Sequence, residues 1–159
     1  MKSMQERETD FFNLLHDVAH LLRTRFDQQA RAWGLTRAQC VILIHLQEHP
    51  GWTQNEMANH CQLEPITVAR LVDRLEASGF VERRLDPSDR RINRLHLKPP
   101  ADPILEQIRR SRENALRALM DDMTPAVKDA VMTTLKQMKV KLTTGCMARV
   151  QDASKEKTE

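Results

Sequence analysis

Apolar positions recur three and four residues apart along most of this chain, the pattern of helices that bury one stripe. Phe11, Leu14, Leu15, Val18, Leu21, Leu22 and Phe26 keep this spacing and predict a first helix from about Glu6 to Trp33. Gly34 suits the position just past its end. Thr36, with Gln39 three residues on, predicts a capped start for a second helix. That helix carries Cys40, Val41, Leu43, Ile44 and Leu46 and stops at Pro50-Gly51. Thr53 and Glu56 repeat the capping pattern and open a short third helix with Met57 and Ala58 inward. After the turn Cys61-Gln62-Leu63, Pro65 fits the first position of a fourth helix, where its missing N–H is no loss. This helix ends at Ala77 before Ser78-Gly79. Val68, Leu71, Val72 and Leu75 form its apolar set, and Thr67, Arg70 and Arg74 form a polar stripe.

The period then changes from helical to alternating. Phe80 to Leu85 and Ile92 to Leu97 flank Asp86-Pro87-Ser88-Asp89-Arg90-Arg91, which reads as a β-hairpin with a charged tip. Pro99-Pro100 disfavours helix locally and predicts a stiff hinge. Helical spacing resumes from about Pro103 to Met123. Thr124-Pro125 then starts a sixth helix reaching about Cys146, with Val127, Val131, Leu135, Met138 and Leu142 on one stripe. The expected fold is mainly α: a winged helix-turn-helix with a small β-hairpin wing and long N- and C-terminal helices. Residues 149–159 form a polar tail, expected to be disordered.

Composition agrees. The chain has 159 residues with only four glycines, as in a mostly helical protein of one domain plus extensions. A formal net charge of +3 is too small to prove a polyanionic partner, so the distribution of charge carries the weight. Arginine concentrates between Arg70 and Arg94, at Arg70, Arg74, Arg83, Arg84, Arg90, Arg91 and Arg94. Two adjacent arginines on a protruding tip suit the narrow minor groove of DNA. Arg91 is expected to enter that groove with Asp89 orienting its guanidinium through a bidentate pair, while Arg90 touches the DNA backbone; Arg84 is a further candidate for DNA contact. On the fourth helix, Arg70 has the fork for guanine O6 and N7, Thr67 can meet a base edge, and Arg74 reaches phosphate. The start of the third helix, at Thr53 and Gln54, offers N–H groups to a phosphate.

Other signals are weaker. His16/His20 and His45/His49 are each four apart, but nothing beside them completes a metal-ligand set, so no metal or cofactor is expected. Three cysteines, an odd number with wide spacing, argue against a disulfide framework and for a reducing cytoplasm. Cys61, at a turn beside His60, is the candidate for a redox-responsive regulator, and Cys146 is a candidate to face a symmetry mate. There is no signal-peptide pattern and no apolar run of membrane-spanning length. No P-loop, dinucleotide fingerprint or triad context supports an enzyme. A winged helix used for protein contacts remains the other reading.

The order of elements resembles the MarR family, closest to its SlyA-like branch. Gly34-Leu35-Thr36, Leu71-Val72-Asp73-Arg74-Leu75-Glu76, Gly79-Phe80-Val81 and the wing carry the resemblance, which spans roughly Leu14 to Met147. It implies a transcription regulator, a repressor by default. The regulator would be a homodimer joined through residues 6–33 and 101–148, with residues 34–100 as the DNA-binding lobe on a pseudo-palindrome. It also implies recognition contacts at Thr67, Val68 and Arg70, and Arg91 in the minor groove. A small aromatic or lipophilic effector is implied too, for which Leu14, Val18, Leu21, Cys40, Val41 and Ile44 are the expected lining. Three positions depart from the family pattern. Gln62 stands where glycine is common, Leu97-Lys98-Pro99-Pro100-Ala101 replaces the usual post-wing sequence, and Cys40 takes the place of an aromatic.

Overall fold

Two capping boxes set the frame of the lobe. In the computed structural model, which describes residues 4–143 and side chains from residue 9 onward, the Thr36 hydroxyl accepts from Gln39 N–H at 3.3 Å and Gln39 Oε1 accepts from Thr36 N–H at 2.9 Å. Thr53 and Glu56 make the same reciprocal pair. Each satisfies two N–H groups that a helix start otherwise leaves bare.

The helices are α1 (Met4–Ala32), α2 (Arg37–Glu48), α3 (Gln54–Cys61), α4 (Pro65–Ala77), α5 (Asp102–Met120) and α6 (Pro125–Thr143), with strands β1 (Val81–Leu85) and β2 (Asn93–Leu97). The chain divides into two compact units, one ending at Arg110 and one beginning at Ser111. Cys146 and the 149–159 tail lie outside the described residues. No helix among those described is long and apolar enough to cross a membrane.

In the first unit, α2 is enclosed on most sides. Cys40, Ile42, Leu43 and Leu46 pack with Met57 and Ala58 of α3, Val68, Val72 and Leu75 of α4, Val81 and Leu95 of the hairpin, and Leu105 and Ile108 of α5. Each large side chain removed from water here contributes on the order of 2 kcal/mol. The expected stop of the second helix shifts slightly: Glu48 is its last residue, and His49 caps it by donating its N–H to His45 O at 2.8 Å.

The proline pair behaves differently from expectation. Pro99 and Pro100 begin a 3-10 turn, Pro99–Ala101, that runs straight into α5. Proline breaks a helix interior but not a first turn, where no N–H is needed. The pair therefore initiates the helix instead of interrupting the chain.

α1 and α6 are both left largely uncovered. Phe12, Leu14, Val18 and Leu21 of α1 are exposed, and so are Val127, Leu135 and Leu142 of α6.

His45, His49, Trp52 and His60 gather between the end of α2 and α3. The His45 and His60 rings lie 4.5 Å apart, and His49 stacks on Trp52 at 4.1 Å. His45 Nδ1 approaches Glu48 at 3.6 Å, but burial first, and the neighbouring His60 next, lower its pKa below the usual histidine value. The unfolded chain therefore takes up the proton more readily than the native chain. Stability contributed by neutral His45 is complete above the ordinary value of 6.5 and declines as pH falls through it toward the lower native value. Urea unfolding at pH 7.5 and 5.5 should show the lower free energy at pH 5.5, and His45→Gln should flatten that slope.

Gln62 alone of the described non-glycine residues has positive φ, at 53° with ψ 44°. Its N–H closes the end of α3 on Ala58 and Asn59 carbonyls. Left-handed backbone strains an L side chain, and Gly escapes that strain at some entropic cost. Gln62→Gly should stabilise the fold by about 0.5–1 kcal/mol, read as a higher urea midpoint at unchanged slope.

Candidate nucleic-acid interface

The turn between α3 and α4 aims α4 outward from its core face. Val68, Val72 and Leu75 are fully buried, whereas Thr67, Arg70 and Arg74 are exposed on other sides of the helix. Val68, expected at the recognition surface, is a core residue. Adjacent helical residues lie about 100° apart, so Thr67 and Val68 cannot face the same way.

The hairpin is antiparallel, with Val81 opposite Leu97, Arg83 opposite Leu95 and Leu85 opposite Asn93. Arg84 and Arg94 face each other directly, an arrangement that like charges disfavour. Each is neutralised by its own acid: Arg84 pairs with Glu82, and Arg94 Nε donates to Asp86. Arg94 Nη1 also donates to the Gly51 carbonyl at 3.0 Å. The segment before α3 joins β2 on its other side. Leu95 N–H donates to Trp52 O at 2.8 Å, and Gly51 N–H donates to Leu95 O at 3.0 Å. Gly51 has φ +83°, and a Cβ there would meet the His96 ring at 3.6 Å.

Asp86 organises the tip. It is only 4% exposed. It accepts from Ser88 N–H at 2.7 Å, from the Ser88 hydroxyl and from Asp89 N–H at 3.2 Å, besides Arg94. These donors, the Ser88 hydroxyl foremost, hold its carboxyl well below the usual carboxylate range. Asp89 does not orient the Arg91 guanidinium as expected; its Oδ1 accepts the Arg91 backbone N–H at 2.9 Å. Arg90 and Arg91 are exposed, and neither guanidinium makes an ion pair or a hydrogen bond among the described residues.

Arg83 joins wing to α4. It donates to Asp73 at 2.6 Å and to Glu76, and its backbone N–H donates to Glu76 Oε1 at 3.1 Å. The sequence reading missed Arg83, Asp86 and Arg94 as fixing residues. Asp86 and Arg94 lie diagonally across the hairpin, Asp86 two residues beyond the Arg84 that faces Arg94.

At the start of α3, the capping box takes up one of the N–H groups expected to meet a phosphate. The Glu56 carboxylate already holds Thr53 N–H at 2.7 Å, and this bond lowers the Glu56 pKa. Gln54 is half-buried, and its Nε2 is buried without a partner among the described residues. Cys40 lies in the core with its thiol pushed up to about 11 by burial, and burial also raises Cys61, whose thiol points to Met57 Sδ at 3.7 Å. Neither has the cationic surroundings of a reactive thiol. No group of metal-ligating side chains able to hold an ion occurs among the described residues. The expected effector lining divides: Cys40 and Ile44 are buried, Val41 is half-buried, and Leu14, Val18 and Leu21 are exposed on α1.

Together these elements define a winged helix-turn-helix. Residues 35–92 match the model of the MarR family. The chain is 29% identical over 119 residues to the uncharacterized HTH-type transcriptional regulator YsmB of Bacillus subtilis, covering 75% of this chain and 82% of YsmB. The crystal structure of MarR superposes with TM-score 0.72 at 27% identity, over 82% of this chain and 89% of MarR. The fold is shared with the S. aureus MepR–DNA complex, at TM-score 0.72 and 22% identity, over 83% of this chain and 97% of MepR. Residues 35–92 thus resemble the MarR family, and the chain shares the winged-helix fold of these proteins.

Asp86→Ala should leave α2 intact and loosen the tip. Amide exchange at Ser88 and Asp89 should rise roughly tenfold or more, with α2 amides unchanged as the internal control.

Proposed function

We propose that this protein binds double-stranded DNA as a homodimer and represses transcription by occupying a pseudo-palindromic operator. One observation carries the reading. The acids around the wing are already engaged: Asp73 and Glu76 by Arg83, Glu82 by Arg84, and Asp86 by Arg94. Arg70 and Arg74 on α4 and Arg90 and Arg91 on the tip keep their guanidinium groups unpaired among the described residues and exposed. A protein that used these arginines for its own stability would have paired them. Phosphates and base edges supply the missing acceptors. The DNA bound to MepR supports the same use of the fold.

The dimer rests on the uncovered apolar residues of α1 and α6, which a second copy would remove from water. An apolar effector would find its surface at Leu14, Val18 and Leu21 of α1, because Cys40 and Ile44 are closed within the core. The SlyA-like placement within the family rests on the wing and the Leu71–Glu76 segment.

Fluorescence anisotropy tests the reading on the DNA upstream of the protein's own gene, with scrambled DNA as control. Arg70→Ala should cost about 1–3 kcal/mol on the specific duplex and relax sequence preference. Arg91→Ala should weaken binding with the fold intact. Unchanged affinity in both variants would favour a winged helix that contacts protein.

A further inference from the structure

Ile66 is out of place on the outer side of α4. It follows Pro65 in the first turn and is 62% exposed. It precedes Arg70 by four residues, so the two share a face, and that face lies opposite Val68, Val72 and Leu75. Leu63, in the turn before α4, is exposed as well. The core side of the helix is complete without Ile66, which is also a β-branched residue with no helix-propensity advantage there. Its neighbours on the exposed surface, Thr67, Arg70 and Arg74, are polar or cationic.

The surroundings choose the occupant. Unpaired arginines on α4 and on the wing tip make this surface complementary to a polyanion. In the major groove of DNA the apolar feature of a base edge is the 5-methyl group of thymine. We propose that Ile66 is a specificity-determining residue that packs on a thymine methyl in each half-site, beside the guanine taken by Arg70. The proposal rests on the DNA-binding reading above. Four residues of helix rise about 6 Å and base steps within a strand are about 3.4 Å, so the thymine falls within two base pairs of that guanine. Leu63 flanks the contact and helps exclude water from it.

The test uses the full chain and a duplex enriched by it from a random-sequence pool. The guanine is located as the position whose identity ceases to matter in Arg70→Ala. Each thymine within two base pairs is then replaced by deoxyuridine, which removes only the methyl group. Wild-type affinity should fall about fourfold per methyl lost at the contacted position. Ile66→Ala, whose side chain lies outside the core, should keep its thermal transition, bind the thymine duplex more weakly, and bind thymine and deoxyuridine duplexes equally. Equal wild-type affinity for both duplexes would overturn the proposal. So would discrimination retained by Ile66→Ala, or enriched sites without thymine in that window. Failure to enrich any duplex would instead strike the DNA-binding reading itself.

Discussion

The Asp86 carboxylate is the interaction on which the lobe's geometry turns. A nearly buried anion is costly unless several donors meet it. Here two backbone N–H groups and a hydroxyl from the tip converge on one oxygen, and a guanidinium from β2 meets the other. The tip donors fix the path of the loop that carries Arg90 and Arg91. The guanidinium belongs to Arg94, which reaches on to the Gly51 carbonyl ahead of α3. One charge thus sets the tip, the strand behind it and the entry to the helix-turn-helix relative to one another.

The arginines divide into two groups by what surrounds them. Arg83, Arg84 and Arg94 meet acids within the lobe and act as structural fasteners. Arg83 is the most consequential, because its bonds to Asp73 and Glu76 join the wing to α4. Arg70 and Arg74 on α4 and Arg90 and Arg91 on the tip instead make no ion pair among the described residues. Net charge hides this division: a formal +3 for the whole chain says little, whereas the pairing pattern leaves cationic groups on one helix face and one loop.

Local features were legible in the sequence. The capping boxes, Pro65 at the head of α4 and the hairpin boundaries depend on neighbours within a few residues. Gln62 was also legible, because the turn it occupies calls for a left-handed residue whatever the side chain. Tertiary features were not. Nothing local distinguishes Asp86 from Asp89 as the anchor of the tip; burial and the position of Arg94 across the strand decide it. The helix phase set Val68 with Val72 and Leu75, where it is buried, and only the family analogy placed it at the recognition surface. The approach of His60 to His45 joins two helices whose packing no periodicity reveals.

The way β2 is shared has a consequence for how the protein behaves in a crowd. Because Leu95 bonds to the segment before α3 on the side away from β1, the exposed border of this small sheet falls to β1. Its residues there include Glu82, Arg83 and Arg84, and the outward N–H of Arg83 is stoppered by the Glu76 carboxylate. A strand border dressed in charge and plugged by a helix side chain is a poor template for a foreign strand. The hairpin can therefore project from the lobe without inviting the edge-to-edge association that exposed β-ribbons risk.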